Sequence, residues 1–137
     1  MMDDLLTTRR RLAAGDTHAQ DEISRSIDAA RSDACAHAFL RTSFDAARAV
    51  AANPANLSKP LMGLAVSIKD LFDVAGEVTA AGSTVLAERP AAPCDSAAVA
   101  RLRRAGAAII GRTNMTEFAF SGVGINPHSG TPANAAT

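Results

Sequence analysis

Gly63-Leu64-Ala65-Val66-Ser67-Ile68-Lys69-Asp70 is an apolar run, with β-branched residues at Val66 and Ile68, that ends in an ammonium group. This composition predicts a strand of a covered sheet. The chain has two lysines, Lys59 and Lys69, against twelve arginines. A lysine closing a strand of this kind therefore reads as a chemical group and not as a solubilising one. Burial disfavours the charged form of a lysine and makes the amine a proton acceptor near neutral pH. Asp70 follows directly, and strand alternation sends it to the opposite face, where it anchors a turn and does not partner the amine.

The segments downstream extend that strand into a layer. Leu61 to Val74 is dominated by Leu, Val, Ile and Phe, and Gly76 turns the chain. After the loop Thr79-Ala80-Ala81-Gly82-Ser83, Asp95 or Ser96 is placed to cap a helix that carries Ala98, Val99, Leu102 and Ala105 on one face. Arg101, Arg103 and Arg104 then face water, and Gly106 supplies a left-handed stop. Ala107-Ala108-Ile109-Ile110-Gly111 is a short continuous apolar run, the pattern of a strand buried on both faces. Strand, helix and strand form a crossover unit, so the fold class is α/β. Asn114-Met115-Thr116-Glu117 predicts a capping-box start to a short helix through Phe120. From Ser121 onward, Gly122, Gly124, Asn126, Pro127, Gly130, Pro132 and Asn134 deny any regular element.

Upstream, Asp3 to about Ala52 has no proline and no strand-like run, which predicts two or three amphipathic helices. Ile23, Ile27, Ala30, Ala34 and Ala38 follow helical spacing, and Leu40, Phe44, Ala47 and Ala51 repeat it. Faces made mostly of alanine bury little area per turn, so these helices need a larger body to pack against. Asn53-Pro54-Ala55-Asn56-Leu57-Ser58-Lys59-Pro60 is rich in breakers. The expected organisation is a helical segment over 1–52, a linker over 53–60 and the first part of a core domain over 61–137.

Fourteen basic and fourteen acidic side chains cancel, and a pI near 6.8 gives no long-range field toward nucleic acid or anionic lipid. The amino terminus lacks a basic start and an apolar h-region, and no apolar run is long enough to cross a bilayer. The reading is a cytoplasmic protein that binds neither nucleic acid nor membrane. Cys35 and Cys94 stand apart from any Cys/His cluster and read as free thiols. No Asp/His/Cys set has metal-ligand spacing, so no metal is expected. His128, alone in a Pro/Gly loop, reads as a surface or hydrogen-bonding residue, and Gly122-Val123-Gly124 as a turn that lacks the third glycine of a phosphate loop.

Three segments in order carry a family resemblance: Gly63 to Asp70, then Arg112-Thr113-Asn114-Met115-Thr116-Glu117-Phe118-Ala119, then Asn126-Pro127-His128-Ser129-Gly130-Thr131-Pro132-Ala133-Asn134. Together they resemble the amidase signature family, closely from Leu57 onward and in pattern only over the helical N-terminal third. That resemblance implies a mixed sheet flanked by helices, and amide hydrolysis, or transfer of the released ammonia, through a Ser-cisSer-Lys triad without a cofactor. Lys69 matches the family's catalytic lysine. The chemistry agrees, because a neutral lysine can deprotonate a bridging serine that in turn deprotonates the nucleophile, with no histidine required. By position, Phe120, Ser121 and Gly122 resemble the family's acyl-pocket wall and are expected to touch substrate. Ser129 stands where relatives usually carry an aromatic, and Ala135 where they usually carry proline.

Both serines of relatives belong to a Gly/Ser-rich segment that follows the Gly-Thr-Pro-x-Asn stretch, and no Gly-Gly-Ser-Ser run occurs in these 137 residues. The expectation is therefore the N-terminal part of an amidase, inactive alone, whose intact form acts on a small-molecule amide. Two other readings stay open. One is a protein like the amidotransferase component that carries these motifs, working with companion subunits in glutamine-dependent ammonia transfer. The other is a non-catalytic module whose alanine-faced helices bind a partner. Assembly as a homodimer is also left open.

Overall fold

The computed structural model describes residues 3–134; Ala135 lies outside them. Three helices open the chain: α1 (Leu5–Ala14), α2 (Ala19–Arg31) and α3 (Phe44–Ala52). Asp4 caps α1 by accepting the Thr7 N–H at 2.7 Å, which holds its carboxyl below the usual range. A strand, β1 (Phe39–Thr42), stands between α2 and α3, and it corrects the expectation of unbroken helix. Ala34 and Ala38 accordingly leave the helical pattern, in a 3-10 turn (Asp33–Cys35) and the approach to β1. The reason is nonlocal. β1 pairs antiparallel with a strand some seventy residues later, and that ladder outweighs local helix preference.

The predicted crossover is present as β2 (Ala65–Lys69), α4 (Ala97–Arg104) and β3 (Ala108–Thr113), with β2 and β3 parallel. Sheet order is β1-β3-β2, so β3 is central and β2 is an edge. Each face of the sheet has its own core. Leu64, Ala108 and Ile110 pack with Leu12, Ile23, Ile27, Ala47 and Ala51 of α1 to α3. Ile68 and Ile109 pack with Val74 and with Val99 of α4. The alanine-faced helices thus close against the sheet, and β3 is buried on both sides, as its unbroken apolar run requires.

The start of α4 follows a different chemistry from the one expected. Ser96 occupies the cap position without a side-chain cap bond, while Asp95 accepts from the Ala75 N–H at 2.8 Å and from Arg103 Nε at 2.8 Å. Asp95 therefore ties the helix to the loop before it. The stop is as predicted: Gly106 has φ of 84°, and the Gly106 and Ala107 N–H groups return to the carbonyls of Arg103 and Leu102.

Candidate active site

β2 carries alternation to its end: Ile68 is buried, Lys69 exposed and Asp70 buried. β2 lies at one edge of the sheet, and Ser67 and Lys69 are both exposed among the described residues. The burial expected for the amine is therefore not supplied by these residues. No hydrogen bond or ion pair engages the Lys69 side chain among them, either. Asp73, the other nearby acid, accepts from Thr79 Oγ1 at 2.7 Å.

Asp70 anchors a turn, as its alternation implied. Its Oδ2 accepts the Gly82 N–H at 2.9 Å, and its Oδ1 accepts from Arg112 Nε at 3.2 Å and Nη2 at 2.9 Å. Both residues are buried, at 4% and 2% exposure. Arg112 was not foreseen as a buried cation. Counting alternately from Ile110 puts it on the α1–α3 side of the sheet, yet the register slips where Val66 and Ser67 pair with Ile109 and Gly111. That extra residue makes Arg112 the partner of Ile68 and places it on the Asp70 face.

Beyond β3 the chain does not start the predicted helix. The Asn114 side chain donates to the carbonyls of His37 and Gly130, at 3.0 and 2.8 Å, and Glu117 does not reach back to it. Only a 3-10 turn forms, Glu117–Ala119, with Phe118 at φ of 54°. The acceptors a capping box would use are taken: Asn114 Oδ1 accepts the adjacent Met115 N–H at 2.8 Å, and the Glu117 carboxylate has tertiary partners. Glu117 Oε1 accepts from Ser83 Oγ at 2.6 Å and lies 3.1 Å from His128 Nε2. The Ser83 hydroxyl first, then His128 by hydrogen bond and charge, hold the Glu117 carboxyl below its usual range against the opposing effect of burial. His128 is thus a hydrogen-bonding residue, as read from sequence.

Asn126, 1% exposed, went unnoticed in the sequence beyond its place in the Asn-Pro stretch. Its Nδ2 donates to the Gly82 and Met115 carbonyls, each at 2.8 Å, and its Oδ1 accepts the His128 and Ser129 N–H groups at 2.8 and 3.2 Å. The loop after β2, the end of β3 and the Pro/Gly segment therefore meet at one amide. Gly82 (φ of 67°) admits this, since a Cβ there would sit 2.8 Å from the Met115 carbonyl. The only sequence cue to Asn126 was an asparagine before proline, which reads equally as a turn.

Phe120, Ser121 and Gly122 are all exposed, Phe120 at 94%. Ser121 Oγ accepts the Val123 N–H at 3.1 Å, and no hydrogen bond or ion pair joins these three residues to Lys69 among the described residues. Cys35 and Cys94 are free thiols. Among the described residues no helix is long and apolar enough to cross a membrane, and no cluster of His, Cys, Asp and Glu has metal-binding geometry.

A strand closing in Lys69-Asp70, a parallel crossover and an asparagine-tied loop can now be set beside known proteins. The Amidase family model matches residues 21–137. The chain belongs to the amidase family. This amidase-family chain is 34% identical over 130 residues to a 1-carboxybiuret hydrolase subunit of Pseudomonas sp. (strain ADP), which covers 90% of this chain and 28% of that protein. It is 38% identical over 121 residues to a glutamyl-tRNA(Gln) amidotransferase subunit of Oleidesulfovibrio alaskensis, covering 85% of this chain and 25% of that one. The chain thus spans about a quarter of the length of these relatives. Among solved structures, a crystal structure of an amidase superposes with a TM-score of 0.83 at 34% identity, over 98% of this chain and 32% of the other. A vestigial protein complex bearing on the origins of an s-triazine catabolic enzyme superposes with a TM-score of 0.88 at 30% identity, over 98% and 31%. The α/β fold with its mixed sheet is that of the amidase family.

Proposed function

We propose that this chain contributes the proton-accepting amine of a serine-dependent amide hydrolase, with Lys69 as the base. The observation that carries the reading is the contrast at the end of β2. Among the described residues the Lys69 amine has no carboxylate partner, while both carboxylate oxygens of neighbouring Asp70 are taken by Arg112 and the Gly82 N–H. An unpaired amine is free to take a proton in its neutral form. It would accept the proton of a bridging serine, which takes that of the nucleophilic serine. The serine oxygen then bonds to the carboxamide carbon, the C–N bond breaks, and the proton passes to the leaving nitrogen as ammonia or amine. Water releases the acid from the acyl-enzyme by the same relay in reverse. The two serines, and the dry cover that an uncharged amine needs, would come from polypeptide other than these 137 residues, as would most of the acyl pocket. Phe120, Ser121 and Gly122 would supply part of its wall.

A second reading is ammonia transfer, favoured by relatives such as the glutamyl-tRNA(Gln) amidotransferase component of Oleidesulfovibrio alaskensis. It uses the same amine and differs in the fate of the ammonia.

Ammonia release from a panel of carboxamides, glutamine included, tests the proposal on the polypeptide encoded by the whole reading frame and on its Lys69→Ala variant. The 137-residue chain alone should release none. Loss of roughly a thousandfold or more in kcat is expected for Lys69→Ala, the scale seen when a member of a catalytic unit is removed. Unchanged release in that variant would remove Lys69 from the mechanism.

A further inference from the structure

We propose that Arg112 is a positioning residue for Lys69: it holds Asp70 on the far face of β2, which fixes the backbone from which the lysine leaves and keeps the adjacent carboxylate away from the amine. The inference rests on the reading of Lys69 as the base and adds a residue that touches neither substrate nor the reacting atoms.

The geometry is specific. Regular pairing ends at Lys69, so the orientation of the next residue depends on bonds outside the ladder. Asp70 has four anchors. Its N–H donates to the Thr113 carbonyl at 3.2 Å and its own carbonyl accepts the Ala81 N–H at 2.9 Å. Its carboxylate takes the Gly82 N–H and two donors from Arg112. Of these, only Arg112 supplies charge. Asp70 is 4% exposed and Arg112 is its ion-pair partner, so loss of the guanidinium would leave a buried acid uncompensated.

The surroundings sharpen the point. Glu77 Oε2 lies 3.8 Å from Arg112 Nε and 4.0 Å from Arg41 Nη1, so Arg112 stands between two acids. Removing its charge takes the ion-pair partner from Asp70 and leaves Glu77 with the half-exposed Arg41. Asp70 is then driven outward, and the nearest cation in sequence is Lys69. An ion pair formed there would hold the amine in its charged form, which cannot accept a proton. A guanidinium suits the task because its Nε and Nη2 both reach one oxygen while Oδ2 stays with the loop.

Two measurements test this, one of them independent of activity. Reductive ¹³C-methylation labels only Lys59, Lys69 and the amino terminus, and Lys59, bonded to Asn56 Oδ1 at 2.8 Å, serves as an internal reference. In the 137-residue chain, Arg112→Gln should move the Lys69 methyl resonances and leave those of Lys59 in place. Adding Asp70→Asn, which removes the competing carboxylate, should return them. In the full-length polypeptide, Arg112→Gln should lower kcat about 10- to 100-fold with KM changed less than about threefold, and the double variant should recover part of that loss. A purely structural role predicts the reverse order, with the double variant worse than the single one. Should Arg112→Gln fail to fold, Arg112→Lys is read instead: its ammonium keeps a cation beside Asp70, so kcat within about tenfold of wild type is expected, and a loss as large as that of Lys69→Ala would overturn the proposal. So would an unmoved Lys69 resonance in folded Arg112→Gln. If Lys69→Ala keeps its activity while the resonance shift still occurs, the assignment of the base fails and the Asp70–Arg112 coupling stands.

Discussion

Asn126 Nδ2 donates to the Gly82 carbonyl at 2.8 Å, across 44 residues of sequence, from a side chain that is 1% exposed. The same amide serves Met115 and the His128 and Ser129 N–H groups, so every polar atom of this buried side chain is used. Asn126→Ala should destabilise the chain by about 2–4 kcal/mol, since it orphans two buried carbonyls as well as removing bonds. Chemical denaturation checks the size. Asn126→Asp keeps the acceptor and aims an oxygen at the two carbonyls, so it should be no milder; a silent Asn126→Asp would show that the tie carries no stability.

Gly111 of the central strand lies against β1, where an added Cβ would overlap the Arg41 carbonyl and press on the Phe39 ring. Backbone cannot yield there as a flexible side chain would. Gly111→Ala is therefore expected to cost about 1–3 kcal/mol and to unpair Phe39 to Thr42. Faster hydrogen exchange confined to the β1–β3 ladder is the measurement.

Glu117 gives the chain an acid-sensitive clasp. Its carboxyl titrates below the ordinary value when folded, chiefly because Ser83 donates to it and then because His128 does. The unfolded state thus binds its proton first as pH falls. The stability it contributes is complete above about pH 4.3, the unperturbed glutamate value, and disappears as pH drops through the lowered folded value. Thermal melts between about pH 3 and 6 should show this slope. Glu117→Gln should flatten it, and an identical slope in the variant would refute the assignment.

Ile27 is fully buried at 0% exposure in the cluster that joins α2 to Leu64, Ala108 and Ile110. Leu12 and Ile23 share the cluster with it. Ile27→Ala should cost about 2–5 kcal/mol, and Ile27→Val about 0.5–1.5. Urea titration separates the two.

Where local chemistry sets the structure, the sequence was readable. The apolar run ending at Lys69, the alternation that buries Ile68 and Asp70, the helix over Ala97–Arg104 and the Gly106 stop all depend on neighbours within a turn or two. The failures share a cause. Phe39–Thr42 is a strand only because β3 lies beside it, and Glu117 does not reach back to the Asn114 N–H because Ser83, distant in sequence, donates to its carboxylate. Propensity cannot report a partner that is some seventy residues away.

The sequence by itself determined the α/β class, the crossover, the family resemblance that the comparisons bear out and the face on which Asp70 is hidden. Only the tertiary structure decided that a one-residue slip in β3 turns Arg112 toward Asp70, that Asn126 and Glu117 knot three loops together, and that Lys69 is exposed on an edge strand. Spacing along a chain governs which way each side chain leaves its own strand. What it meets depends on register between strands, and that is set by pairing and packing summed over the whole sheet.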